Sequence, residues 1–189
     1  MSFAQTWLAQ PDAGFRPGRV WLASTPDAFV VLAEMQDTDI MTEGKNHNDP
    51  LWDLGDTFEV FLRHTARPDY FEFHVAPNGV TLDLHYPRLH APRDHGVDQY
   101  LLSDPHFSSR AVPEPNLGRW RVAMEIPVGP LVPEEFLRET SLWQFSFSRY
   151  DCGPGRAPMV SSTTPHRGAG FHRAEEWLQF RVPAFTAHV

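Results

Sequence analysis

Recognition of a sugar needs flat aromatic surface for the C–H face of the ring, and planar charged groups that share its hydroxyls bidentately. The chain carries both kinds of group in or beside turn-rich segments. Trp52, Tyr86, Tyr100, Tyr150 and Phe171 supply rings, and Glu72, Asn78, Arg149, Asp151, His166 and His172 supply polar partners. Trp52, in the run NDPLWDLGD, is the first choice for an exposed stacking ring. The alternative is a Trp that plugs the end of the fold. Trp177 is either a second stacking wall or a core residue. Arg149 comes one step of the alternation after Trp143, Phe145 and Phe147. A charge at that register falls just beyond the core or is aimed into a cleft.

Other chemistries have weaker support. Glu59 with Glu72, or Asp56 with Glu59, could form the carboxylate pair that glycosidases hold ~5–9.5 Å apart. Cross-strand pairing with Arg63 or Arg121 explains these acids as well. No G-x-S-x-G and no H-E-x-x-H is present. Cys152 lies in a Gly-Pro loop without an activating neighbour. The histidines at 64, 74, 85, 90, 95 and 106 show no His-x-His spacing. His74 and His85 would be neighbours if they shared a face, and with Glu72 or Asp83 they would suit a transition metal. Otherwise they are two solvent-face histidines. No enzyme activity is expected.

Residues 36–56 are rich in Asp, Asn and Glu. They read either as a solvated loop with local turns or as an oxygen-rich Ca²⁺ site or ligand lip, with Asp37 and Asp39 as candidate ligands. Residues 87–118 form a second long loop, stiffened by five prolines and holding a short strand over 107–112.

The elements that must position these groups are strands. Residues 57–63, 70–76 and 80–86 alternate with period two, and Pro77-Asn78-Gly79 is a strong turn between the last two. One face of this hairpin array is expected to be apolar. The other is expected to carry Glu59, Glu72, His74, Asp83 and His85. Further strands are expected over 19–23, 29–35, 120–126, 143–149 and 177–182, with a short edge strand over 3–7 and one short helix over 133–139. Residues 151–169 read as a Gly, Pro and Ser loop. About nine strands with long loops and one short helix give an all-β, antiparallel β-sandwich of jelly-roll or immunoglobulin-like type.

Composition fits one domain over residues 1–189. The formal net charge of −8 opposes binding to nucleic acid and to anionic membrane. The single Cys excludes an internal disulfide framework. The N-terminal MSFAQTWLAQPDAG lacks a basic n-region and a continuous apolar stretch, so a cytoplasmic location is expected, or secretion if a leader has been removed.

Five segments in order carry a family resemblance: PLWDLGDTFEVFLR, YFEFHVAPNGVTLD, WRVAMEIPVGPL, WQFSFSRYD and FHRAEEWLQF. Together they resemble the family 9-type carbohydrate-binding domains over roughly residues 37–182. The resemblance implies a β-sandwich, structural calcium, and a sugar clamped between two Trp rings, for which Trp52 and Trp177 are nearest in sequence order. Related sandwiches bind haem through Met and His. Here Met35, Met41 and Met124 with His74 or His172 are the candidates, but Met35 and Met124 suit the core and no C-x-x-C-H is present.

The expected function is therefore non-catalytic binding of a carbohydrate or small polyol. The candidate ligand-binding residues are Trp52, Glu72, Asn78, Tyr86, Arg149, Phe171, His172 and Trp177. The alternative is a protein-interaction or structural module that uses the aromatic-rich loop end on a protein partner.

Overall fold

Strands form where β-branched and aromatic residues alternate, and chain reversals form where Gly, Pro, Asn and Asp interrupt them. The computed structural model of the protein describes residues 1–93 and 96–185. In chain order the strands are β1 (Gly18–Ser24), β2 (Ala28–Gln36), β3 (Thr57–His64), β4 (Tyr70–Val75), β5 (Thr81–Tyr86), β6 (Ser108–Glu114), β7 (Arg119–Pro127), β8 (Ser141–Asp151), β9 (Met159–Ser162) and β10 (Leu178–Val182). One sheet has the order β1-β2-β7-β6, and the other β10-β8-β3-β4-β5, with β9 also paired to β8. All pairings are antiparallel. The antiparallel sandwich expected from the alternation is the fold observed. Among the described residues no helix is long and apolar enough to cross a membrane.

Three local expectations are corrected. Residues 151–169 contain β9, whose pairing with the end of β8 outweighs the loop-like composition around it. Residues 3–7 make no strand. Near this end of the chain there are only isolated bridges, from Ser2 to Arg19 and from Ala4 to Ser162. Residues 133–139 contain one 3₁₀ turn, Glu134–Phe136, because a segment this short cannot repay helix nucleation. The one α-helix among the described residues, α1 (Leu51–Leu54), is a single turn inside the 36–56 loop.

The six-stranded sheet buries apolar side chains on both faces. Phe58, Val60 and Leu62 of β3, Phe71, Phe73 and Val75 of β4, and Trp143, Phe145 and Phe147 of β8 meet Val20, Phe29, Val31, Trp120 and Ile126 of the facing sheet. On the opposite face, Phe61, Tyr70, Leu82, Leu84 and Tyr86 form a second cluster with Leu51, Tyr100, Phe171 and Trp177 from the covering loops. Apolar burial of this kind contributes roughly 25 cal/mol per Å² removed from water.

The second cluster overturns the expected face of β5. The turn between β4 and β5 is a three-residue Pro77-Asn78-Gly79 loop closed by Ala76 and Val80, with Gly79 at φ 87°. That loop length pairs Val75 with Thr81, His74 with Leu82, Phe73 with Asp83 and Phe71 with His85. Cross-strand partners share a face, so Leu82, Leu84 and Tyr86 lie with Glu72 and His74, whereas Asp83 and His85 lie on the face of Phe71 and Phe73. His85 stacks on Phe71 with ring centroids 4.4 Å apart. The two-His metal site is therefore excluded, because His74 and His85 point to opposite faces.

Candidate functional site

On the loop-covered face of the six-stranded sheet a concave pocket of about 240 Å³ opens between β3, β4, the α1 turn and the 169–172 loop. Alternation on β3 and β4 delivers Glu59, Phe61, Glu72 and His74 to its floor. Leu84 and Tyr86 extend the floor from β5. Trp52, Tyr150, Phe171 and His172 form its walls. Tyr86 is stacked on Tyr70 with centroids 4.6 Å apart and planes 6° apart, so it is fixed as floor. Trp52 is half-buried and meets His74 edge-on at 5.7 Å.

His74 stands between two carboxylates. Its Nδ1 is 3.5 Å from Glu59 Oε1, and its Nε2 is 3.4 Å from Glu72 Oε2. Glu72 Oε1 lies 2.8 Å from His172 Nδ1, which is also 3.0 Å from the Tyr70 hydroxyl. Glu59, Glu72 and His74 are all buried. Burial pushes the Glu59 carboxyl up to about 7, with His74 pulling back and Glu72 adding to the rise. Burial pushes Glu72 the same way, but His172 and His74 overcome it and hold Glu72 at about 2. Burial disfavours the charged form of His74, yet Glu59 and Glu72 raise its pKa above the ordinary value. Glu59 Oε2 has no hydrogen-bond partner within the protein, and the two ring nitrogens of His74 meet their carboxylates only at 3.4–3.5 Å, without a well-formed hydrogen bond.

Of the residues expected to bind ligand, Trp52, Glu72, Tyr86, Phe171 and His172 come together in this pocket, and Asn78, Arg149 and Trp177 do not. Asn78 is a turn residue: its Nδ2 donates to the Gly44 carbonyl at 2.8 Å, and its Oδ1 accepts from the Val80 amide. Trp177 is a core residue rather than a stacking wall. Its ring packs on Phe61 and Tyr70, and its N–H donates to the Phe171 carbonyl at 2.7 Å. Arg149 shares the inner face with Phe147 and is directed at carboxylates, not at the cleft, with Nη2 3.0 Å from both Asp37 Oδ2 and Asp151 Oδ2. His166 is buried outside the pocket, between Ser146 and Glu176. His95 lies outside the described residues.

The sequence reading did not count Glu59 and His74 among the ligand-binding residues, although the signal was present. Both share the alternation parity of Glu72, so any ligand over Glu72 also meets them. A wider, shallow groove of about 700 Å³ lies on the outer face of the four-stranded sheet, bordered by exposed Trp21 and Leu32. Its Glu34 and Arg121 are already paired, with Arg119 and Glu114, and no buried polar atom converges on it. The smaller pocket is therefore the better candidate.

Asp37 and Asp39 do come together, joined by Asp151, with oxygens within 4.8 Å of one another. The donor set does not suit Ca²⁺. Arg16, Arg149 and Arg156 all reach into the same cluster and pair with its carboxylates. Asp56 stands apart from it, accepting from the amides of Met41 and Cys152 and so fastening the 36–56 loop to the end of β8.

No family model and no curated protein matches the sequence of the chain. Solved structures do match its shape. A Bacteroides uniformis protein provisionally classed as carbohydrate-binding superposes with a TM-score of 0.66 at 14% identity, over 88% of this chain and 78% of its own. A family 9 carbohydrate-binding module from Caldicellulosiruptor kristjanssonii, in complex with glucose, gives 0.63 at 12% identity, over 94% and 82%. The same kind of module in complex with cellotriose gives 0.62 at 12% identity, over 93% and 79%. At this identity the likeness is one of fold.

Proposed function

We propose that this chain, which has the fold of the family 9 carbohydrate-binding modules, binds a carbohydrate or related small polyol without catalysis, in the pocket between Trp52, Glu72, His74 and Phe171. One observation carries the reading. Glu59 Oε2, buried without a partner, and His74, which meets its carboxylates only at 3.4–3.5 Å, line the floor beside the half-buried rings of Trp52 and Tyr150. A buried polar atom without a partner costs ~1–3 kcal/mol, which a ligand hydroxyl, donor and acceptor at once, can recover. The rings of Trp52 and Phe171 offer apolar surface for the C–H groups between those hydroxyls.

The same geometry speaks against hydrolysis. A glycosidase keeps the space between its carboxylates open for the scissile bond and water. Here the His74 imidazole stands between Glu59 and Glu72. A protein partner at this end is less favoured, because the surface is a concave pocket with a charged floor rather than a flat apolar patch.

The test is tryptophan fluorescence and thermal shift against a panel of mono- and oligosaccharides, on wild type and Trp52→Ala. A saturable shift that Trp52→Ala abolishes supports the reading, since a ligand that binds only the folded state raises its Tm. A folded wild-type protein that responds to no sugar overturns it.

A further inference from the structure

We propose that this chain anchors the base of its 36–56 loop with its own guanidinium groups, at the acidic cluster whose composition suggested a Ca²⁺ site. The proposal rests on a lattice of three aspartates and three arginines, and it is independent of what the pocket binds. Asp37 and Asp39 begin the loop, Arg149 and Asp151 end β8, Arg156 follows β8, and Arg16 comes from the segment before β1.

Five of the six carboxylate oxygens accept a hydrogen bond, and the sixth, Asp151 Oδ2, has an ion-pair contact only. Asp37 Oδ1 accepts from the Asp39 amide at 3.0 Å, and Asp37 Oδ2 from Arg149 Nη2 at 3.0 Å. The same nitrogen is 3.0 Å from Asp151 Oδ2. Asp39 Oδ1 accepts from Arg16 Nη1 at 2.9 Å, and Asp39 Oδ2 from Arg156 Nη2 at 3.4 Å. Asp151 Oδ1 accepts from Arg156 Nη2. Nearby carbonyls are engaged too: Arg156 donates to those of Asp151 and Cys152 at 2.6 and 2.7 Å. Three carboxylates and three guanidiniums balance in formal charge.

Ca²⁺ takes six to eight oxygen ligands at about 2.3–2.6 Å. To enter here it would have to displace guanidiniums, among them Arg149, which is 1% exposed. A buried charge stripped of its partners is strongly unfavourable. Arginine stays protonated across the accessible pH range and presents donors in a planar fork, so it can replace a fixed cation between carboxylates. The lattice also fills its space. A Cβ at Gly153 would collide with Asp39 Oδ2 and Arg156 Nε.

The experiment compares Tm in excess EDTA and in excess CaCl₂ for wild type, Arg156→Gln and Arg16→Gln/Arg156→Gln, with terbium luminescence as a direct probe of a lanthanide on the carboxylates. Wild type is expected to show the same Tm in both solutions and no saturable terbium signal. The two variants are expected to lose at least ~2 °C in EDTA and to regain part of it in CaCl₂, because freed carboxylates then accept the ion. A wild-type Tm that rises saturably with Ca²⁺ or falls with EDTA overturns the proposal. So does an Arg156→Gln protein as stable as wild type in EDTA. If the double variant does not fold, the wild-type and Arg156→Gln comparisons decide alone.

Discussion

Glu59 and His74 are direct cross-strand partners, and the imidazole Nδ1 stands 3.5 Å from Glu59 Oε1 while its Nε2 faces Glu72. One buried imidazole thus serves two buried carboxylates. Glu72 has a second histidine, His172, at 2.8 Å and Glu59 has none at that distance, which is why their proton affinities separate. Glu59 stays near neutrality by burial, and Glu72 is held ionised by two histidines.

That separation sets the pH dependence of stability. Glu59 has a folded pKa of about 7 against an ordinary 4.5, so the folded state keeps a proton that the unfolded state has released. Stability therefore falls as pH rises between those values, by ~3 kcal/mol for this group, and is flat above. His74, also raised, acts with the same sign, as does Asp56, raised to about 7 by burial. Glu72 has the opposite sign: its stabilisation is complete above 4.5 and is lost as pH falls toward 2. The raised carboxyls of Glu59 and Asp56 lower Tm from pH ~5 toward ~7, opposed in part by buried His64 and His166, whose lowered pKa values make stability rise with pH there. Glu59→Gln should flatten the decline and raise Tm at neutral pH. A Glu59→Gln protein whose Tm follows the wild-type pH profile contradicts the assignment.

Trp52 and Trp177 should part company on mutation. Trp177→Ala empties a site packed on Phe61 and Tyr70 and frees the Phe171 carbonyl, so a loss of ~3–5 kcal/mol in chemical denaturation is expected. Trp52→Ala removes a half-buried wall and should cost about 1–2 kcal/mol while abolishing any sugar response. Equal losses of stability would mean that Trp52 plugs the fold rather than walls a pocket.

Gly55 closes the loop that carries Trp52, at φ 146°, and a Cβ there would approach the Met41 carbonyl oxygen to 2.5 Å and Thr42 Cα to 2.6 Å. Both obstacles are backbone. Gly55→Ala should cost ~2 kcal/mol or more and weaken ligand response together with stability, because the α1 turn must shift. Urea denaturation alongside fluorescence titration measures both. An unchanged midpoint would show that the loop accommodates the methyl group freely.

Trp21 tests where the ligand sits. It is 51% exposed on the outer sheet face, opposite Leu32. Trp21→Ser should change stability by no more than ~0.5 kcal/mol and leave any sugar-induced Tm shift intact. Loss of the shift in Trp21→Ser with retention in Trp52→Ala would move the site to the outer groove.

The sequence by itself determined the strands and the type of fold. Alternation over residues 57–63, 70–76, 120–126 and 143–149 specifies strands whatever they pack against, because successive side chains must point to opposite faces. It also placed Phe58, Phe73 and Trp120 in the core between the sheets. Grouping Trp52, Glu72, Tyr86, Phe171 and His172 was legible as well, since aromatic and polar residues cluster at the ends of those strands.

Only the tertiary structure decided which faces meet. Period two shows that Leu82 and Asp83 lie on different faces, but not which of them joins Glu72. The three-residue turn at Pro77-Asn78-Gly79 settled that, because a loop one residue shorter would have reversed every side chain of β5. Reading one face as polar failed because Leu51, Trp52, Leu89, Ala91, Tyr100, Phe171 and Trp177 come from loops to bury a second apolar cluster over it, trapping Glu59, Glu72 and His74 beneath. Arg149 followed the same logic. Its register was readable, but its partners Asp37 and Asp151 are fixed by loop closure between residues 112 positions apart or only two, a contact that no local pattern encodes.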